Sequence, residues 1–423
     1  MDKVVNFGCR LNSFESEQIG HLLSESGRDD LLVVNSCAVT NETERQVRQK
    51  VRQLVRQNPD KSVAVVGCAA ELNPQSFAEI PGVSLVLGNA EKLDIAQYSA
   101  TEKIVAVGAT EKLQKQPLSI ANFQAETRRT RAHVMIQNGC DHDCTFCAIT
   151  LARGDSRSVV VPELVAHIQK LSDSGTQEVV LSGVDISAYG SDLPKPVTLG
   201  ELVRTILAEV PKLPRLRLSS IDCIELDPLL KKLIMTEKRI MPHLHLSLQA
   251  GDDMILKRMK RRHSRQEAVD LCAELRAGRP EIIFGADLIA GFPTETVEMF
   301  AQTMDLVRDC NLTYLHVFPF SPRDGTPAAR IPRQVRGDEC KRRAKALRLL
   351  GAEKMQEFLL SLIGTEQEVL LENQKFGRTR HYAPVRFNQP MENETGLVQT
   401  KITDVKDGNL IADIIATHSE KIA

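Results

Sequence analysis

Between residues 132 and 320 six short apolar runs alternate with amphipathic helical patterns, and this alternation limits the folds open to the chain more than any other feature. The runs lie near 132–138, 178–185, 215–221, 243–250, 282–289 and 314–320; helical periodicity covers 162–173, 199–209, 227–235, 264–277, 295–309 and a long segment over 337–361. Neighbouring parallel strands need a crossover of a dozen or more residues, and the spacing supplies a helix for each. Six such units predict an α/β fold with an open, partial parallel barrel, (β/α)6, whose active site lies at the carboxyl ends of the strands. The run 243–250 places His243, His245, Ser247 and Gln249 on one face and Leu244, Leu246, Leu248 and Ala250 on the other, the period of two of a strand. A polar inner face suits a hollow barrel around a polar ligand, although an antiparallel strand wetted on one side alternates in the same way.

Residues 1–100 carry a different repeat, in which a short apolar run ends in a small residue and then a cysteine: Val4 to Cys9, Leu31 to Cys37 and Ser62 to Cys68. Helix-like sequence follows at 12–25, 41–57 and 74–79. The pattern predicts a small N-terminal parallel α/β domain in which loops at neighbouring strand ends meet at one site. A polar connector is expected over 101–126, the barrel over 127–360, and a third domain over 361–423, where apolar runs (367–372, 382–387, 396–403, 409–415) between turn residues suggest a small β-barrel.

The ten cysteines among 423 residues are too few for a disulfide scaffold, and the sequence shows neither a cleavable leader pattern nor a long apolar span. The expectation is a cytoplasmic protein with no membrane contact, in which cysteines that share a spacing are metal or cluster ligands. Lys plus Arg number 54 against 55 Asp plus Glu, for a net charge of -1, which excludes a uniformly basic nucleic-acid coat and leaves room for local basic patches.

Cys140, Cys144 and Cys147 form a CxxxCxxC motif directly after the first barrel run. Three thiolates on one loop can hold three irons of a 4Fe-4S cluster and leave the fourth open to a small molecule. A structural zinc site wants four closed ligands, and no fourth sits at finger spacing, although His142 lies within the loop. Cys9, Cys37 and Cys68 repeat the three-ligand logic in the first domain, where a second cluster would also keep an open iron. Cys223, Cys272, Cys310 and Cys340 share no ligand spacing and are expected to be structural thiols.

With Phe146 before its last cysteine, the motif resembles the signature of the radical S-adenosylmethionine (SAM) enzymes. That resemblance implies SAM on the open iron, cleaved to a 5'-deoxyadenosyl radical. It also implies SAM contacts from Gly183, Val184 and Asp185 at the second strand end, Ser219 and Ser220 at the third, Gln249 at the fourth, and Ile289 within the Asp287 to Pro293 stretch that packs on adenine. The family's usual glutamate is missing at the second strand end, so backbone carbonyls or Asp185 would take its place.

A radical SAM core behind a three-cysteine domain and ahead of a TRAM-type RNA-binding barrel is similar to the methylthiotransferases over essentially the whole chain. Phe7 to Asn12, Asn35 to Thr40, Glu44 to Arg48, Met259 to His263 and Phe318 to Pro327 most resemble the tRNA threonylcarbamoyladenosine branch, with the isopentenyladenosine branch as the alternative substrate class. Departures are Thr294, where glycine is frequent, and Phe320, where tyrosine is frequent. The resemblance implies two 4Fe-4S clusters, SAM, a tRNA anticodon loop as partner, a low-potential electron donor of flavodoxin or ferredoxin type, and a sulfur donor left open. A rival reading is a non-catalytic metal-containing RNA-binding protein. RNA contact is expected from Lys257, Arg258, Lys260, Arg261, Arg262 and Arg265, from a second cluster over 341–348, and from Lys375, Arg378, Arg380 and Arg386 interleaved with the base-stacking aromatics Tyr382 and Phe387.

Overall fold

A computed structural model describes residues 3–99, 102–108, 118–121, 123, 130–390 and 396–417. The first layer is a parallel sheet in the order β1 (Val4–Asn6), β2 (Leu31–Ser36), β3 (Ser62–Gly67), β4 (Val83–Leu87) and β5 (Ile104–Ala106). α1 (Arg10–Glu25) and α5 (Ile95–Tyr98) cover one face; α2 (Asn41–Gln57), α3 (Cys68–Leu72) and α4 (Pro74–Ala78) cover the other. Covered on both sides, β2 is buried at every residue, which is why it reads as a continuous apolar run. Thr40 caps α2 by accepting from the Thr43 N–H at 3.1 Å, and Val47, Val51 and Leu54 turn its one apolar stripe to the sheet.

The sheet has five strands where three were expected. β4 is followed by Gly88 without the cysteine that marked the first three, and β5 is a three-residue strand inside the expected connector. Most of 101–126 otherwise lies outside the described residues. The helix expected at 74–79 is preceded by α3, which starts on Cys68 itself.

The barrel strands are β6 (Arg131–Met135), β9 (Glu178–Ser182), β10 (Arg215–Leu218) continued by β11 (Ser220–Ile221), β12 (His243–Gln249), β13 (Ile283–Ala290) and β14 (Leu312–Pro319). All pair in parallel and in chain order, which settles the 243–250 run as a barrel strand. The expected third strand is broken at Ser219. A short antiparallel ladder, β7 (Gln137–Asn138) with β8 (Arg157–Ser158), ties off the excursion that carries the CxxxCxxC motif and α6 (Ile149–Arg153). The outer helices are α7 (Val161–Asp173), α8 (Leu199–Glu209), α9 (Pro228–Thr236), α10 (Asp253–Arg258), α11 (Arg265–Gly278), α12 (Val297–Asp309) and α13 (Gly337–Ser361). Six strands leave β6 without a barrel neighbour on one side, and α1 packs there, adding Leu11 and Phe14 to the barrel core.

After α13, β15 (Glu366–Asn373), β16 (Phe376–Thr379), β17 (Pro384–Phe387), β18 (Gly396–Lys406) and β19 (Asn409–Thr417) close into a five-stranded barrel of the TRAM type. It docks on the amino ends of the large barrel's strands: Thr130 Oγ1 donates to the Leu371 carbonyl at 2.7 Å, and Arg215 Nη2 meets Glu368 at 2.7 Å. This docking overturns the role expected for two aromatics. The Tyr382 ring lies 4.3–5.7 Å from the guanidinium carbons of Arg10, Arg131, Arg217 and Arg378 and stacks on His243, while Phe387 is buried in the small barrel's own core. Both rings are occupied by protein: Tyr382 by cation–π contact with several desolvated guanidiniums, and Phe387 by apolar packing.

Candidate active site

The CxxxCxxC loop is held by backbone contacts that do not depend on a ligand. Gly139 has φ +78° and packs so closely on the Asp155 carbonyl that a Cβ would overlap it. The Cys140 N–H then donates to the Gly154 carbonyl at 3.0 Å, and the Cys147 N–H to the Cys144 carbonyl at 3.1 Å. Two sulfurs already accept hydrogen bonds: Cys147 Sγ from the Ile149 N–H at 3.4 Å and Cys144 Sγ from Arg261 Nη1 at 3.6 Å. Burial pushes the Cys140 thiol up to about 12 and the Cys147 thiol up to about 11.

The three thiols face a cleft of about 160 Å³ at the carboxyl end of the barrel, lined also by Phe146, Val184, Asp185, Ser220, Ser247 and Gln249. Arg261 enters from below, fixed by Asp222 at 2.8 Å and by the Ser247 carbonyl at 2.7 Å. His142 lines the same cleft close to the Cys140 sulfur, and its Nε2 lies 2.7 Å from Asp185 and 3.6 Å from Glu225. Arg262 also lies 2.7 Å from that nitrogen, but its guanidinium is satisfied by Glu225 at 2.6 Å. Hydrogen bonds to the two carboxylates outweigh burial and push the imidazole up to about 10. Three soft sulfurs with N–H groups aimed at two of them fit an iron–sulfur cluster with one open iron.

The second cysteine set lies at three adjacent strand ends. Gly8, at φ +111°, sits so close to Cys37 that a Cβ there would be 2.7 Å from its Cβ and 2.8 Å from its Sγ. Cys9 is the exposed N-cap of α1, Cys37 follows β2 and Cys68 opens α3. Cys68 Sγ accepts from Arg153 Nε at 3.2 Å and Asn89 Nδ2 at 3.7 Å, and Cys9 Sγ donates to Asn12 Oδ1 at 3.5 Å. Burial, reinforced by the Cys68 and Cys9 sulfurs, pushes the Cys37 thiol up to about 12, and all three cysteines follow strands that are neighbours in one parallel sheet. Here too the donor set is three soft sulfurs with N–H groups on one of them.

Residues 134–307 match the family model of the radical SAM superfamily, and residues 3–88 match the model described as uncharacterized protein family UPF0004. The chain is 46% identical over 388 residues to the threonylcarbamoyladenosine tRNA methylthiotransferase MtaB of Rickettsia prowazekii, covering 92% of this chain and 91% of that protein. The chain belongs to this radical SAM methylthiotransferase family. A tRNA-2-methylthio-N(6)-dimethylallyladenosine synthase from Ehrlichia chaffeensis is 27% identical, covering 97% of this chain and 99% of that one. Among solved structures the radical SAM methyltransferase TsrM of Kitasatospora setae superposes with a TM-score of 0.52 at 14% identity, over 85% of this chain and 73% of that chain, a likeness of fold. Membership of the radical SAM superfamily implies one 4Fe-4S cluster and SAM.

In this methylthiotransferase the fold gathers Phe146, Val184, Asp185, Ser220 and Gln249 around the cleft and leaves three expected residues behind it. Gly183 packs against Gln137, whose Oε1 accepts the Val184 and Asp185 N–H groups at 3.0 and 2.9 Å. Ser219 is buried, its hydroxyl without a hydrogen-bond partner among the described residues, and Ile289 packs behind Phe146 in an apolar cluster. Gln249 holds a left-handed φ of 69°, which bends β12 at the cleft.

Asp222, Ser247 and Arg261 are cleft residues that sequence reasoning missed. The signal was present for Ser247, on the polar face of its strand, and hidden for Arg261 inside a basic run assigned to RNA. Within that run Arg262 pairs with Glu225, Lys260 with Asp143, Arg265 with Asp309, and Arg258 Nη1 donates to Thr294 Oγ1 at 2.7 Å. Thr294, where the family often has glycine, holds a left-handed φ of 72°, and Phe320 meets Phe292 edge-on at 5.3 Å. The four remaining cysteines are all buried, as expected of structural thiols.

Proposed function

We propose that this chain installs a methylthio group on carbon 2 of threonylcarbamoyladenosine beside the tRNA anticodon. The observation that carries the reading is the presence in one fold of two three-thiol sets, one per domain, in a chain so similar to MtaB. Cys140, Cys144 and Cys147 would ligate the SAM-binding 4Fe-4S cluster, and Cys9, Cys37 and Cys68 a second one. When bound, the first cluster with SAM would supply the radical that takes hydrogen from the adenine carbon, and the second would hold a sulfur, methylated by another SAM, for transfer to that carbon.

The chain's own residues prepare the cleft for this. Asp185, Ser220 and Gln249 line the cleft, where Asp185 would meet the SAM ammonium and Ser220 and Gln249 would offer polar contacts to its ribose and carboxylate. Phe146, Ile149 and Val184 form an apolar wall that keeps water from a reactive radical. Gly183, Ser219 and Ile289 act from behind, by shaping the backbone and wall on which those groups sit. Arg261 places a buried cation against Cys144 and offsets thiolate charge, with Asp222 holding it. The reaction needs a low-potential electron donor of flavodoxin or ferredoxin type and takes place in the cytoplasm; among the described residues no helix is long and apolar enough to cross a membrane.

The test is nucleoside mass spectrometry of tRNA from a host lacking its own enzyme, with and without this chain. The methylthio derivative of threonylcarbamoyladenosine should appear; a derivative of isopentenyladenosine alone would move the substrate to the other branch. Stoichiometric zinc and no SAM turnover after anaerobic reconstitution would instead favour a non-catalytic RNA-binding protein.

A further inference from the structure

Arg153, the last residue of α6, is 2% exposed and lies between the two cysteine sets. A guanidinium has five N–H donors, and here all five are used. Nε donates to Cys68 Sγ at 3.2 Å. Nη1 donates to Glu15 Oε1 at 2.8 Å and Asn138 Oδ1 at 2.9 Å, and Nη2 to Asn12 Oδ1 at 2.9 Å and Glu15 Oε2 at 3.0 Å. Asn138 Oδ1 also accepts from the Gly139 N–H at 2.9 Å, immediately before Cys140. Asn12 Nδ2 donates to the carbonyls of Phe7 at 2.7 Å and Ser36 at 3.1 Å, close to Cys9 and next to Cys37. One side chain therefore anchors the approach to the first-domain set and the entry to the CxxxCxxC loop.

The charge count points the same way. Lys92, 1% exposed, also pairs with Glu15, at 2.6 Å, so two buried cations share one directly bonded carboxylate. An excess buried cation is expensive unless an anion faces it. The remaining group bonded to Arg153 that can become an anion is the Cys68 sulfur, which is a thiolate when it ligates a metal.

We propose that Arg153 is a positioning residue for the first-domain set: it holds Cys68 in place and, through its Nε–H to the sulfur and its buried charge, raises the reduction potential of the first-domain cluster. Hydrogen bonds and positive charge at cluster sulfurs stabilise the reduced, more negative state. The inference rests on the proposed second cluster, and the experiment separates the two.

The full-length protein with Cys140, Cys144 and Cys147 all replaced by alanine carries only the first-domain set and is reconstituted anaerobically with iron and sulfide. Iron content and a redox titration followed by electron paramagnetic resonance are then measured for this parent and for three variants built on it. Arg153→Met, which leaves Glu15 neutralised by Lys92, should make reduction about tenfold less favourable at a fixed potential, about 59 mV for one electron. Arg153→Lys should shift less in the same direction. Glu15→Gln, which strips a counter-charge from the same cations, should shift the opposite way, a sign that general loosening does not produce. A parent without iron would refute the second cluster itself. With iron bound to the parent, the positioning role is overturned by unchanged potentials, by shifts of one sign in all variants, or by equal iron loss in all three.

Discussion

The two cysteine sets use the same chemistry and are built in opposite ways. Cys140, Cys144 and Cys147 sit within eight residues on one loop, clamped by its own backbone and by the ladder of β7 with β8. Cys9, Cys37 and Cys68 come from three strand ends spread over sixty residues, and the parallel order of β1, β2 and β3 alone brings them together. A loop site depends on local turns, whereas a strand-end site depends on the integrity of a whole sheet. The first is partly exposed at all three thiols; the second buries two thiols and exposes one.

The comparison can be broken most sharply at Cys140. Cys140→Ala should abolish both 5'-deoxyadenosine release and methylthiolation, read by chromatography and nucleoside mass spectrometry. Cys37→Ala should abolish methylthiolation while sparing SAM cleavage, with iron falling from about eight to about four per chain; persistence of the modified nucleoside would show that the strand-end set is dispensable. Asp222→Asn, which weakens the buried partner of Arg261, should destabilise the chain by about 3 kcal/mol in urea titrations, an effect confined to the loop set's side.

The smallest expected effect is on pH. Cys37 and Cys140 are pushed up to about 12 and Cys147 to about 11, all above the ordinary thiol range. The folded, metal-free chain thus holds these protons to higher pH than the unfolded chain does. Its stability from this source is complete below about pH 8.5, where unfolded thiols begin to ionise, and is lost as pH rises toward 11 and 12. The melting temperature of the metal-free chain should therefore drop between pH 8 and pH 10, by less in Cys37→Ser, measured by circular dichroism.

Much of this was legible in the sequence where the signal is local. The six barrel strands follow from apolar runs at βαβ spacing, and α13 was bounded at 337–361 by its own periodicity. The strand β16 was not read, because Phe376-Gly377-Arg378-Thr379 looks like part of a cationic loop until its antiparallel partners are known. The short β5 has too few residues for an alternation to register. The basic run at 257–265 hid the place of Arg261 for a different reason: Lys260 finds Asp143 across 117 positions and Arg261 finds Asp222 across 39, and no local pattern shows which cation turns inward. Tyr382 and its arginines follow the same rule: residues from α1, β6, β10 and β16 meet one ring.

The sequence by itself determined the layered α/β architecture and the three-thiol loop, since hydrophobic period and ligand spacing are properties of neighbouring residues. Only the tertiary structure decided which cations face inward and that Arg153 joins Cys68, 85 positions away, to Glu15, 138 positions away. The physical reason is that a buried ion must find its counter-ion wherever the fold supplies one, and no local pattern records that distance.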